Sequence, residues 1–306
     1  MAPTGKNAQS RSGMQVVLHL GAHCTDEDRL PACLLKNADA FRERGIAVPQ
    51  PKRYRRLLRD TVHAMKSGEP TTESAEVLVD AMLDDDLGQI DRLILSHQHF
   101  LSAQRTALSR GVLYNAAERK LQDFGRLFPE DEVELFLGIR NPATFLPALF
   151  EASKTETFID FMDGADPRDI HWSHLVRRIR QAVPDMAMTV WCNEDTPLIW
   201  AQIIREMAGL DPNEKIKGGF DLLAEIMTKE GMQRFRAYLK SHPVMTEVQK
   251  RRVIAAFLDK FAIEEEVEQE LDLPGWTDAL IDTLTESYEE DVYAISRIPG
   301  VALITP

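Results

Sequence analysis

Residues that could do chemistry are concentrated between positions 19 and 28, directly after the first apolar run of the chain. This stretch reads His-Leu-Gly-Ala-His-Cys-Thr-Asp-Glu-Asp, so imidazole, thiol and carboxyl groups lie close together in the sequence. His97 and His99 follow another apolar run. Because the carboxyl ends of parallel strands meet at one edge of a sheet, where ligands bind, we expect the two segments to lie near each other.

Three kinds of chemistry fit these side chains. His97 or His99 would serve as a general base, since imidazole exchanges protons near neutral pH; the alternative is a histidine hydrogen-bonded at a strand end. Imidazole and carboxylate groups also suit zinc or iron, although we expect no metal here. A helix N-terminus would activate the thiol of Cys24, but the adjacent acids oppose this effect and favour an inert thiol.

The elements that must position these residues are a strand, a glycine turn and a helix. Residues 15–20 are mostly apolar, Gly21 interrupts them, and residues 26–44 carry apolar side chains at helical spacing. Free amides at such a helix N-terminus favour an anion. Thr25 and Asp28, however, have the spacing of a capping box, which would satisfy those amides from within the chain.

Short apolar runs alternate with helical patterns through the first two thirds of the chain. Runs at residues 92–96, 133–139 and 188–192 repeat the strand signal of residues 15–20. Apolar strands separated by helices are typical of a parallel sheet covered on both faces. We therefore predict a doubly wound α/β core over residues 14–200.

The last third of the chain is predicted to be a helical C-terminal subdomain, residues 201–306, packed on the core. A short apolar tail at residues 301–304 is its only strand-like segment. Residues 1–13 are polar and lack the apolar core of a signal peptide, so we predict a disordered leader there. Helical patterns cover residues 197–209, 220–228, 230–241, 246–261 and 276–296.

Overall composition restricts the kinds of partner. The 306 residues include 36 Lys and Arg against 49 Asp and Glu, a formal net charge of −13 that disfavours nucleic acid. Three cysteines without a CxxC pair are typical of a reducing compartment. Since no apolar run approaches the ~18 residues of a membrane span, we predict a cytoplasmic protein without an integral membrane segment.

The basic residues 52–59 would hold an anionic acceptor or an acidic lipid headgroup, or form a solvated helical face.

An ordered set of short motifs makes the chain similar to a known family. Residues 21–25 contain Gly-Ala-His and a threonine, and residues 45–49 read Gly-Ile-Ala-Val-Pro. Residues 136–142 read Phe-Leu-Gly-Ile-Arg-Asn-Pro, and weaker matches lie at 95–100 and 193–195. In order and spacing these segments resemble the sulfotransferase superfamily, whose members transfer a sulfuryl group from 3′-phosphoadenosine 5′-phosphosulfate (PAPS).

This resemblance implies a P-loop-like fold and PAPS, or its product adenosine 3′,5′-bisphosphate (PAP), as cofactor. A small-molecule or lipid hydroxyl or amine would be the acceptor, and Arg140 would contact the 3′-phosphate. Histidines at the positions of His19 and His23 also occur in family members without metal, which is why no metal is expected. The loop residues that would approach the 5′ side of the cofactor are Ala22, His23, Cys24, Thr25 and Asp26.

The chain departs from the family pattern at the positions that handle the transferred group. Cys24 stands where the family has a lysine, Asp26 where it has a glycine, and Glu27 and Asp28 where it has a Thr-Thr pair. A lysine at that point stabilises the charge that develops during sulfuryl transfer. Two functions follow: sulfuryl transfer from PAPS, or a catalytically inactive relative that binds a ligand or a protein partner.

Overall fold

A computed structural model describes residues 13–65, 72–83, 90–264 and 273–306 of the chain. The predicted leader, residues 1–13, therefore lies outside the described residues except for Gly13. Within these ranges the strands are β1 (Gln15–His19), β2 (Ile46–Ala47), β3 (Arg92–Ser96), β4 (Leu108–Ser109), β5 (Val112–Leu113), β6 (Glu132–Ile139), β7 (Ala187–Cys192) and β8 (Val301–Ile304).

Six of these strands form one parallel sheet in the order β2-β3-β1-β6-β7-β8, and β4 and β5 form a separate antiparallel pair. Within the described ranges, no helix combines the length and the apolar character needed to cross a membrane. The helices there are α1 (Arg29–Lys36), α2 (Ala38–Arg42), α3 (Pro51–Ala64), α4 (Thr72–Met82), α5 (Ala117–Leu127), α6 (Pro142–Ser153), α7 (Phe158–Met162), α8 (Trp172–Ala182), α9 (Thr196–Ala208), α10 (Asp221–Ile226), α11 (Lys229–Ser241), α12 (Glu247–Phe261) and α13 (Asp278–Ser296).

Both faces of the sheet are covered by helices, as the alternating side chains of β1 show. Val16 and Leu18 join a core formed with α3, α5, α6, α8 and α13. Val17 belongs to a second core, formed with α1, α2 and α9. Successive side chains of a strand point to opposite faces, so an entirely apolar strand needs helices on both sides. The parallel α/β sheet expected from the sequence is thereby confirmed.

The C-terminal segment contributes both helices and a strand. The predicted helices are present as α9 to α13, and α10, α11 and α12 share a small core around Phe235. Helix α13 packs on the sheet core through Leu284 and Ile295. The final strand, β8, pairs in parallel with β7, so residues 301–304 complete the sheet at its edge. The domain boundary at residue 200 stays a prediction.

The helix expected over residues 26–44 is wrong in its extent, because two short helices, α1 and α2, occupy this range. Asn37 separates them. Its Nδ2 donates to the carbonyl oxygens of Cys33 (3.0 Å) and Lys217 (2.9 Å), and its Oδ1 accepts from the Lys217 amide (2.8 Å). An asparagine side chain that bonds backbone groups competes with continued helix. The partner segment is 180 residues away, so local periodicity carries no sign of the break.

The topology produces a crevice at the carboxyl ends of the central strands. Strands β1 and β6 are neighbours at the centre of the sheet. From β1 the chain continues to β2 on one side of this pair, and from β6 it continues to β7 on the other side. Adjacent strands whose connections diverge leave a crevice at their carboxyl ends, and ligands of α/β proteins bind there. The loops that follow β1, β3 and β6 are therefore the elements that can build a site.

Candidate functional site

The loop after β1 begins as an extension of the sheet. The amides of Leu20 and Ala22 donate to the carbonyl oxygens of Phe136 (2.9 Å) and Gly138 (2.8 Å), and the Gly138 amide donates to Gly21 (2.7 Å). Gly21 has φ +95°, and a Cβ there would lie 3.2 Å from the Cα of Gln98. Only glycine fits this contact and this backbone conformation. The amide of Ala22 is thus committed to β6 rather than to a ligand.

His23 is buried against Tyr114. The Tyr114 hydroxyl accepts from the His23 amide (3.1 Å) and lies 2.9 Å from Nδ1 of the same residue. The two rings are stacked, with centroids 5.6 Å apart. Burial, followed by the neighbouring His99 and His97, lowers the pKa of His23 to about 3. The imidazole is therefore neutral at physiological pH and fixes the loop to Tyr114.

The three acids that follow His23 are each engaged within the chain. Asp26 is buried; its Oδ2 accepts from the Leu30 amide (3.3 Å), and burial raises the pKa of its carboxyl. Asp28 accepts two hydrogen bonds from Arg55 (2.5 and 2.9 Å), which lower its pKa. Glu27 forms an ion pair with Arg29 (3.0 Å). Cations of α1 and α3 thus balance the charges of Glu27 and Asp28.

The capping box expected from Thr25 and Asp28 is wrong. The Thr25 hydroxyl donates to the carbonyl oxygen of Ala22 (2.7 Å). Asp28 is the residue before α1, with a left-handed φ of 65° and no side-chain bond to the helix amides. The carboxylate that does reach an α1 amide is that of Asp26, so one of the orphan donors at the helix start is satisfied from inside the loop.

Arg140, at the end of β6, meets the same loop. Its Nη1 donates to the Cys24 carbonyl (2.8 Å) and its Nε to the Thr144 hydroxyl (3.0 Å). The structure therefore brings together two segments, the loop and the strand-end arginine, that are far apart in the sequence. Burial raises the pKa of the Cys24 thiol to about 11, although the charge of Arg140 opposes that shift. Cys24 accordingly presents a neutral thiol.

The loop after β3 places the two candidate bases beside His23. Ring centroids are 5.2 Å apart between His23 and His99, and 4.9 Å apart between His97 and His99. Burial, and then the charge of Arg55, lowers the pKa of His97 to about 3; the same causes lower the pKa of His99. Both rings are neutral at pH 7, the form that can accept a proton.

Helix α3 holds this histidine loop in place through the last residue of β3. The Tyr54 hydroxyl accepts from the Ser96 amide (2.9 Å) and donates to the Ser96 carbonyl (2.8 Å). Arg55 also donates to that carbonyl from Nε (3.1 Å) and Nη2 (3.0 Å). The hydroxyl of Ser96 lies 2.8 Å from Nδ1 of His19. These bonds fix α3 to the end of β3, and thereby to the start of the loop that carries His97 and His99.

A cavity of about 740 Å³ opens between α3, α5 and the loop after β3; we call it the α3–α5 cavity. Half-buried Arg55, Lys120, His97 and His99 form its inner wall together with buried phenylalanines, and exposed basic residues surround its mouth. Its side chains include five Arg and Lys but only two acids. The lining residues are Arg55, Arg56, Arg59, Asp60, Val62, His63, His97, His99, Phe100, Arg119, Lys120, Asp123 and Phe124.

Several residues of this cavity were indicated by the sequence, and others were not. His97 and His99 are among its lining, as are three arginines of the basic run at residues 52–59. Arg119 and Lys120 were missed. Two adjacent basic residues on an amphipathic helix are a weak signal, because nothing in their spacing indicates that α5 faces α3.

Metal binding receives no support from the arrangement of side chains. Within the part of the chain that the structure describes, no group of three or more His, Cys, Asp or Glu residues is placed to hold a metal ion. The histidines His19 and His23 instead contact Ser96 and Tyr114.

The fold and the site together define an α/β protein with a basic, histidine-lined cavity beside the carboxyl ends of its central parallel strands. No protein-family model and no curated protein sequence matches the chain.

Proposed function

We propose that this chain is a ligand-binding protein on a sulfotransferase-like fold that does not transfer a sulfuryl group from PAPS. One observation carries the proposal: the acids of the loop after β1, and the amides that begin the loop, already bond other groups of the protein. The amides of Ala22 and His23, the carboxylate of Asp26 and the guanidinium of Arg140 all bond neighbouring protein groups. A phosphosulfate would have to displace these contacts before it could bind.

The side chains of the loop also argue against sulfuryl transfer. Transition states of group transfer are stabilised by preorganised charge, and loss of one such donor costs about 10²–10³ in rate. Cys24, at the position of the family lysine, carries a neutral thiol whose pKa is about 11. Asp26 adds a buried carboxyl to the place that the family keeps for a glycine. Neither side chain can replace the missing cation.

The proposal of a sulfotransferase-like, P-loop-like fold is supported by the positions of the motif segments in the structure. The loop that resembles the family's phosphosulfate loop follows the central strand β1, at the point where strand connections diverge. Arg140 lies within hydrogen-bond distance of that loop. The segment at 193–195 meets the residue after Arg140, since Glu194 accepts from the Asn141 amide (2.8 Å). Three of the segments that carry the resemblance thus follow one another in space, from the loop through Arg140 to Glu194.

Titration with PAP tests this proposal. A nucleotide that binds the folded state raises the melting temperature, by an amount set by its concentration relative to Kd. We expect no rise with millimolar PAP, because Arg140 is already bonded to the Cys24 carbonyl and the acids Asp26, Glu27 and Asp28 would repel a phosphate. A rise that disappears in Arg140→Ala would contradict the proposal, and a rise that persists in that variant would place the nucleotide elsewhere.

Sulfuryl transfer is the second candidate function, and two observations favour it. Neutral His97 and His99 lie beside the loop and line the α3–α5 cavity, where a base would take a proton from an acceptor hydroxyl or amine. In addition, Cys24, Glu27 and Asp28 have φ values of 56°, 49° and 65°. Left-handed residues of this kind can form concave sites for anions. Incubation with PAPS and detection of PAP release would establish this activity.

A further inference from the structure

We propose that the α3–α5 cavity binds a small organic anion, with the anionic group at Lys120 and an apolar body against Phe100 and Phe124. This inference deepens the proposed binding function by naming the class of ligand. It depends on the cavity and not on the loop after β1, so the two can be tested separately.

The size of the cavity fits a small molecule. Pockets that bind drug-sized ligands typically measure about 300–1,000 Å³, and this one measures about 740 Å³. It lies against the histidine loop at the carboxyl edge of the sheet, where α/β proteins bind their ligands. Its walls belong to α3, α5 and the residues after β3, and the contacts of Ser96 described above hold α3 against the end of β3.

The charged residues that line the cavity are mostly basic, although the net charge of the protein is negative. Five Arg and Lys against two acids line it, in a protein whose formal net charge is −13. One of the two acids, Asp60, lies at the mouth and pairs with both Arg56 (3.4 Å) and Arg59 (3.1 Å). The other, Asp123, pairs with Arg126, which is not part of the lining. The cavity therefore keeps a positive excess that attracts anions.

Lys120 is the cation of the inner wall that has no counter-charge. It is half-buried, its ammonium group makes no ion pair or hydrogen bond with a residue in the described ranges, and the charged Arg119 is its neighbour in the sequence. Burial, and then the charge of Arg119, lowers the pKa of Lys120. A desolvated ammonium group without a partner is unfavourable, and a bound anion would relieve that cost.

The apolar part of the inner wall selects the rest of the ligand. Phe100 and Phe124 are buried and meet edge to face, with ring centroids 5.0 Å apart. Val62 completes this apolar area. Inorganic phosphate would leave these side chains without a partner, whereas an aryl or alkyl group attached to the anion would cover them and gain the free energy of apolar burial.

Calorimetric titration of the full chain with phenyl phosphate tests the inference. Benzoate, inorganic phosphate and phenol serve as comparison ligands. We expect phenyl phosphate or benzoate to bind at least about tenfold more tightly than inorganic phosphate and phenol, because each of those offers only half of the required chemistry. The tighter of the two organic anions identifies phosphate or carboxylate as the preferred group. Equal binding of inorganic phosphate and phenyl phosphate would overturn the role of the apolar wall.

Variants of Lys120 locate the ligand. Loss of one charge-assisted contact should weaken phenyl phosphate binding in Lys120→Gln by about tenfold or more, while Lys120→Arg keeps most of the affinity. The matched control is Lys240→Gln, an exposed lysine on α11, which should bind like the wild type. Equal affinity of wild type and Lys120→Gln, or no binding at millimolar ligand, would overturn the inference.

Failure of the inference and failure of the proposed function give different results. Binding of PAP that requires Arg140 contradicts the proposed function and leaves the cavity unaffected. Absence of phenyl phosphate binding overturns the cavity proposal whatever PAP does. Melting curves of Lys120→Gln and Lys120→Met accompany the titrations; both substitutions remove the ammonium group, so if one variant does not fold, the other provides the same comparison.

Discussion

At the scale of single residues, the site is distinguished by side chains that are neutral or already paired. His23 and His97 are held uncharged by burial, with pKa values of about 3, and the Cys24 thiol is uncharged with a pKa of about 11. Asp28, in contrast, is charged and is paired directly with Arg55. A loop composed of such groups offers little free charge to a ligand.

His23 should make the stability of the protein pH-dependent. Its pKa is about 3 in the folded state and near 6.5 when unfolded, so between these values only the unfolded chain binds the proton. Stability is therefore fully present above pH 6.5 and is lost as pH falls below it, by up to about 1.4 kcal/mol per pH unit from this group. Urea unfolding at pH 7.5, 6 and 5 measures the effect.

The comparison variant for that measurement is His23→Asn, whose amide can still meet the Tyr114 hydroxyl but does not titrate. The free energy of unfolding should depend less steeply on pH in the variant than in the wild type between pH 6 and 5. Parallel curves for the two proteins across this range would show that His23 is not held neutral in the folded state.

At the scale of elements, α3 connects the strand end to the cavity. Tyr54 satisfies both backbone groups of Ser96, while the next residue, Arg55, pairs with the loop after β1 and lines the cavity. One helix thus sets the position of the histidine loop and supplies part of the cationic wall. Its adjacent residues point to different partners because helical neighbours are separated by 100° around the axis.

Tyr54→Phe should destabilise the protein by about 1–3 kcal/mol, since removal of the hydroxyl leaves the buried Ser96 amide without its partner. Chemical denaturation of wild type and variant measures the difference. The matched control is Tyr293→Phe, in which the same atom is removed from an exposed ring; its stability should stay within about 0.5 kcal/mol of wild type. Equal effects of the two substitutions would show that the Tyr54 hydroxyl does not anchor Ser96.

The elements also show how far sequence reasoning reaches. The longer parallel strands were predictable because each is a continuous apolar run, and the C-terminal helices because their apolar period is regular. Strand β2 was not predictable, because two residues are too few to show an alternation of apolar and polar side chains. Asn37 ends α1 through bonds to Lys217, and Lys120 faces the cavity only because α5 lies beside α3. Such contacts join distant segments, and no local pattern encodes them.

At the scale of the whole molecule, charge is distributed unevenly. The formal net charge of the protein is −13. The α3–α5 cavity reverses that sign locally, with Arg55 and Lys120 inside and further arginines at the mouth. Such a cavity offers a small organic anion a local positive charge that the net charge of the protein does not reveal.

Parallel calorimetric titrations of the wild-type chain with PAP and with phenyl phosphate test the central claim most directly. The acids of the loop after β1 and Arg140 already bond other protein groups, and the ammonium group of Lys120 has no partner among the described residues beside the apolar wall of the α3–α5 cavity. We predict heat of binding with phenyl phosphate and none with millimolar PAP. Binding of PAP that is lost in Arg140→Ala, together with no binding of phenyl phosphate, would contradict the claim.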